Sequence, residues 1–155
     1  MISALLFGNF KSDNLKKRLM ALKESDKLMC HIEESTILNQ KSLGDIFRNI
    51  KSEDYSLKYI GLFNENLLMM NQPQAIEKAI FETDDFLNGN DRSFFCEFYK
   101  SLGKNDLEKE IEKIRIFRTK LCKRIDDAEK EYLKKGMLYR KLSALTGLLV
   151  AVFLI

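Results

Sequence analysis

The last fifty residues constrain this chain most. From Asn105 to Lys135 the sequence is charged, periodic and rich in helix formers, and from Leu142 to Ile155 it carries no charge at all (LSALTGLLVAVFLI). Between the two stands Gly136-Met137-Leu138-Tyr139-Arg140-Lys141. Fourteen uncharged residues rise roughly 21 Å as a helix. A hydrocarbon core of about 30 Å wants about 20 residues, and counting back to Gly136 supplies them. Tyr139 then sits at the interface, with Arg140 and Lys141 reaching toward headgroups. A buried core helix is the plainer alternative for an apolar run this short. The missing polar face and the cations on one side only argue against it. The expected organisation is an apolar stub at 1–10, a cytosolic helical domain at 11–135 and a C-terminal transmembrane anchor at 136–155.

Composition narrows the rest. A chain of 155 residues suits one domain with a modest core. Its 45% hydrophobic and 32% charged residues are not those of a disordered segment. The net charge of +3 gives no argument for nucleic acid, because Lys/Arg and Asp/Glu are nearly balanced, as on a solvated helical surface. A single Pro favours helices over a turn-rich β fold. Cys30, Cys96 and Cys122 are odd in number and widely spaced, which suits reduced thiols rather than a disulfide framework or a zinc site.

Met1–Phe10 is apolar but too short to span a bilayer, and it lacks the features of a secretory signal. It reads equally as a piece of anchor, an interfacial foot or a piece of core. The spacing predicts a first helix from Asp13 to Glu34 with Leu15, Leu19, Leu22, Met29 and Ile32 near one face. A second carries Leu43, Ile46, Phe47 and Ile50. A third starts at Ser52-Glu53-Asp54 and buries Tyr55, Tyr59, Leu62, Phe63 and Leu67. A fourth opens at Pro73 with Ile76, Ala79, Ile80 and Phe86 inward. After a turn at Asn88-Gly89-Asn90-Asp91 a fifth runs to Leu102, where Gly103 is expected in the left-handed position that ends helices. Asn105 and Glu108 form a capping-box pair for the sixth. Along it Ile111, Ile114, Leu121, Ile125, Ala128 and Tyr132 make a seam, with Arg118 as one polar break. The fold class is all-α, a bundle of about six helices.

Candidate chemistry is thin. His31 and Cys30 are adjacent, so on a helix they point about 100° apart and make a poor chelate. Cys122 beside Lys123 has no evident base partner. The pairs Asp84-Asp85 and Asp126-Asp127 read as solvated charges rather than an acid–base dyad. No phosphate loop, dinucleotide fingerprint or nucleophile elbow occurs. No catalytic residue, metal or cofactor is expected, and no small-molecule substrate. Phe94, Phe95 and Phe98 are core candidates whose exposed part would be a partner patch.

Leu102-Gly103, Asp106, the long charged helix, Leu138-Tyr139-Arg140, Leu142 and Gly147-Leu148-Leu149, in that order, resemble the stage III sporulation protein AB family. Thr36-Ile37-Leu38 looks like the family's Thr-Pro-Leu segment, with Ile37 in place of Pro. Glu110 stands where the family tends to have Gln, and Ser143 and Thr146 replace glycines. The family usually begins with a full membrane span, whereas only the stub 1–10 is seen here. The resemblance implies a helical domain like the platform proteins of secretion and pilus machines. It further implies a non-enzymatic membrane component of the channel assembly between mother cell and forespore. The implied localisation is the membrane, with the soluble domain on the mother-cell side. Membrane lipid, other stage III sporulation A-operon proteins and the associated secretion-type ATPase are the implied partners. The competing reading is a soluble helical regulator or adaptor whose last helix packs in its own core or in a dimer.

Overall fold

A computed structural model describes residues 2–39, 43–50, 54–104, 106–139, 141–142, 144–145 and 148, with the side chains of 2–9, 39 and 43 excepted. Every regular element among the described residues is helical. In chain order they are α1 (Ile2–Asn39), α2 (Leu43–Asn49), α3 (Lys58–Asn66), α4 (Gln72–Glu82), α5 (Gly89–Ser101) and α6 (Leu107–Glu131). A single π turn, Tyr132–Gly136, then carries the chain back into helix at Met137–Tyr139.

Helices α1 and α6 form a long antiparallel pair. Arg18 meets Glu131, Lys23 meets Glu129, Asp26 meets Arg118 and Glu33 meets Arg115, so numbers rise along one helix as they fall along the other. Leu19, Leu22, Met29 and Ile32 of α1 are buried, and so are Ile114, Phe117, Leu121 and Ala128 of α6. These are the three- and four-residue steps of a helix face. The smaller helices α2–α5 form a lobe on one side of this pair. Their aromatic residues interlock: Phe47 meets Phe63 and Tyr99 edge-on at centroid distances of 5.0 and 5.6 Å. Phe94 and Phe98 lie 5.5 and 5.2 Å from Phe117 of α6. The lobe is thereby welded to the long pair by apolar contact, each buried aromatic ring stabilising by a few kcal/mol.

The expected all-helical fold is present, and several boundaries move. Helix α1 begins at Ile2 rather than Asp13, so the apolar stub is the first part of one 38-residue helix. Asp13 is an exposed interior residue, not a cap. Helix α3 begins at Lys58 because its cap comes from elsewhere in the chain. The carboxylate of Asp85 accepts from Lys58 N–H at 2.9 Å and from Tyr59 N–H at 3.0 Å. The proposed start at Ser52-Glu53 lies outside the described residues. Asn71 caps α4, its side chain accepting from Gln74 N–H at 3.1 Å, so Pro73 is its second residue. Asn88 caps α5 in a reciprocal box with Asp91, which makes Gly89-Asn90-Asp91 its first turn. Phe86, expected inside, takes φ +58° at the surface under the ammonium of Lys17, 4.8 Å away. The seam of α6 gains Phe117, next to Arg118.

Gly103 has the expected positive φ, +77°, and a Cβ there would meet nothing within 4 Å. Its cost to any other residue is therefore backbone strain alone. Gly61 lies inside α3 with equally open space and no positive φ. The two should respond with opposite sign. Gly103→Ala is expected to destabilise by about 1 kcal/mol, and Gly61→Ala to stabilise by about 0.5–1 kcal/mol. Chemical denaturation of both variants at constant slope checks this.

Candidate functional site

The family-like positions of the sequence do not converge on one pocket. Leu102, Gly103 and Asp106 lie at the turn before α6, and Leu138, Tyr139 and Leu142 lie beyond its other end. Helix α6 alone separates them by roughly 37 Å at 1.5 Å per residue. Arg140 and Gly147 fall outside the described residues. The candidate patch is corrected: Phe94, Phe95 and Phe98 are buried, because the stripe they form on α5 faces Phe117 of α6 and Tyr99 of its own helix.

At the turn, Leu102 is buried and Gly103 N–H donates to Oε1 of Glu110 at 2.6 Å. Lys113 donates to Ser101 O at 2.7 Å and stands 3.6 Å from Glu110 Oε2. Asp106 is the N-cap of α6 but makes no side-chain cap hydrogen bond, so Glu110 takes over the fastening of this turn. The expected Asn105–Glu108 box involves a residue outside the described set. The motif is a corner brace between α5 and α6, and its polar groups are used on the chain itself.

The strongest polar construction is one that sequence reading missed. Asp91 is fully buried at the start of α5. Its Oδ2 accepts from Arg18 Nε at 2.7 Å, and its Oδ1 from Arg18 Nη2 and Arg124 Nη1, each at 3.3 Å. Arg18 also donates to Glu131 Oε2 at 3.0 Å, whose Oε1 receives Lys135 at 2.9 Å. One carboxylate thus ties α5 to both long helices, and the chain of charges continues into the π turn. Pairing with Asp91 holds the Arg18 guanidinium above its ordinary range. The usable signal was Asp91 as third residue after an Asn cap; its arginine partners are 73 and 33 positions away. A second cluster explains the polar break in the seam. Arg118 reaches across to Asp26 and Glu33, each at 3.2 Å, and Arg115 to Glu33 at 2.7 Å.

Of the expected solvated acids, Asp126 and Asp127 are exposed, whereas Asp85 is buried as the cap of α3. His31 and Cys122 are exposed, and Cys30 is half-buried. Within the lobe the hydroxyls of Tyr59 and Tyr99 are 2.8 Å apart and fully buried. Burial pushes both phenols well above their ordinary range. A cleft of about 540 Å³ opens beside α3, with Tyr55, Leu57, Ile60 and Asn64 among its walls. No cluster of three or more metal-ligating side chains occurs among the described residues.

The foot of the long pair is the other built feature. There α1 packs against the π turn and the helix after it. Gly136 is buried, and a Cβ on it would come 3.1 Å from Cδ2 of Tyr132 and 3.2 Å from Oγ of Ser12. Ser12 is itself fully buried. Lys11 Nζ lies 5.9 Å from the ring centre of Tyr139. Clefts of about 200 and 290 Å³ flank this crossing. Past it, Met137, Leu138, Leu142, Leu145 and Leu148 are all about half to two-thirds exposed.

Two consequences are measurable. Asp91→Ala removes a buried charge that holds two arginines and a helix cap, so a loss of about 3 kcal/mol is expected. Arg18 and Arg124 keep a route to solvent, which places the loss at the low end of that class. Equilibrium denaturation checks it. The tyrosine pair should appear in an alkaline titration. Both phenols have folded-state pKa values above the unfolded one, so their contribution is intact below about pH 10. It is lost as pH rises further, because the unfolded chain then releases protons that the folded chain keeps. Phenolate absorbance should show Tyr59 and Tyr99 ionising only together with loss of helical circular dichroism.

No curated protein and no solved structure matches the chain. The family model described as stage III sporulation protein AB (spore_III_AB) matches residues 1–155, all of the chain, which therefore belongs to that sporulation family.

Proposed function

We propose that this protein is a non-enzymatic, membrane-anchored platform component of the channel assembly that joins mother cell and forespore in stage III of sporulation. Membership of the family supplies the sporulation role. The observation that carries the anchoring is the run of exposed apolar residues beyond the π turn: Met137, Leu138, Leu142, Leu145 and Leu148. Apolar side chains that stay exposed along a helix suit lipid better than water. Among the described residues no helix is long and apolar enough to cross a membrane. Most of Leu142–Ile155, which supplies the length, lies outside them.

The rest of the molecule fits a passive scaffold. Arg18, Lys23, Arg115, Arg118 and Arg124 pair with acids on other helices, which gives a stiff body suited to holding partners. Those partners are other proteins of the same operon, including the associated secretion-type ATPase. Arg140 and Lys141 precede the apolar segment, so the helical domain faces the mother-cell cytosol.

Leu149→Arg should disfavour insertion by about 2.5–3.5 kcal/mol and move the full chain from the membrane fraction to the soluble one in sporulating cells. An unchanged membrane fraction would refute the anchor. If the apolar arm instead closes a dimer of a soluble regulator, the wild-type chain will be detergent-independent and dimeric in gel filtration. Protease added to inverted vesicles should cleave the helical domain and spare it in right-side-out vesicles; the reverse pattern refutes the orientation.

A further inference from the structure

We propose that the foot of the α1–α6 pair is a docking surface for anionic phospholipid headgroups. This rests on the membrane reading above and adds a lipid preference to it. Charge distribution carries the inference. Stretches 10–18 and 130–142 contain nine of the chain's 26 Lys/Arg and only two of its 23 Asp/Glu. They therefore hold a net +7 on a chain of net +3, and the remainder is acidic at −4.

The two stretches are far apart in sequence, and only the antiparallel pairing brings them together. Lys11 beside Tyr139 and Arg18 beside Glu131 fix that juxtaposition. Arg18 is committed to Asp91 and Glu131, Lys17 lies over Phe86, and Lys135 shares Glu131. Lys16, Lys130, Lys134 and Lys141 are exposed on the same end. From Lys11 to Lys17 the helix rises roughly 9 Å, about one Debye length in physiological salt. The lysines nearest the foot therefore feel a charged surface there.

What lies among the lysines selects the partner. Phe10, Met137 and Leu138 are more than half exposed between them. Cations mixed with apolar side chains suit a headgroup layer with acyl chains beneath it, whereas a nucleic acid would meet uncovered apolar surface.

The test uses the full chain reconstituted into phosphatidylcholine vesicles with a trace of spin-labelled phosphatidylglycerol or spin-labelled phosphatidylcholine. Electron paramagnetic resonance reads the fraction of each label immobilised by the protein. A several-fold excess for phosphatidylglycerol is expected at low salt. It should fall toward equality in high salt, and also when Lys11, Lys134, Lys135 and Lys141 are all replaced by Gln with helical circular dichroism retained. Equal fractions for the two labels in the wild-type chain overturn the lipid site and leave the anchor standing. A chain that does not enter the vesicles overturns both. Loss of the excess on adding duplex DNA at matched ionic strength overturns the site in favour of nucleic acid.

Discussion

The fold depends on one buried carboxylate. Asp91 would be intolerable alone in the interior, because removing an ionised group from water costs several kcal/mol. Arg18 and Arg124 approach it from the two long helices, and Asn88 shares it in the cap of α5. The three helices can satisfy it only in one mutual arrangement. An apolar interface tolerates sliding, since one leucine contact resembles another, but a charge with two fixed partners does not. The aromatic packing around Phe117 supplies the larger share of stabilisation, and Asp91 fixes the alignment of what is packed.

A similar logic governs the seam of α1 and α6. Arg118 interrupts the apolar stripe, and its partners Asp26 and Glu33 lie about two turns apart on α1. The guanidinium spans them as a fork, which a lysine could not do. Basic residues of α6 face acids on the later part of α1, while Arg18 and Lys23 on the earlier part face Glu131 and Glu129. A parallel arrangement would set like charges together, so the pattern excludes it as well as favouring the antiparallel one. The exposed pairs contribute little singly; their value lies in the order they impose.

Legibility followed the range of the interactions. Periodic burial was plain in the sequence, because Leu19, Leu22, Met29 and Ile32, or Ile76, Ala79 and Ile80, follow from helix geometry alone. Gly103 was equally plain, since only a positive φ calls for glycine at the end of such a helix. Features set by distant partners were not readable. Asp85 caps a helix 26 and 27 positions earlier, so the start of α3 was misplaced and its acid taken for a solvated one. Asp91 looked like a turn residue for the same reason. Phe94, Phe95 and Phe98 form a stripe whose cover, Phe117, sat one position from the arginine that drew notice. The family-like residues were recognisable as a linear order, yet they stand at opposite ends of α6. That order marks a brace and an exit, not a single site.

The π turn shows how these two ends are made compatible. The buried positions of α6 advance through Ile114, Phe117, Leu121 and Ala128, with Tyr132 half-buried after them. Continuing with an ordinary three-residue step would put Lys135 into the crossing with α1. A π turn takes in one extra residue, so Gly136 arrives there instead and Lys134 and Lys135 turn outward. A Cβ there would sit a tight 3.1 and 3.2 Å from side-chain atoms of Tyr132 and Ser12, so glycine suits this crossing. The close crossing holds the two arms together after the lobe has ended. It also sets the charged seam of α6 apart from Met137 and Leu138, which are about half exposed.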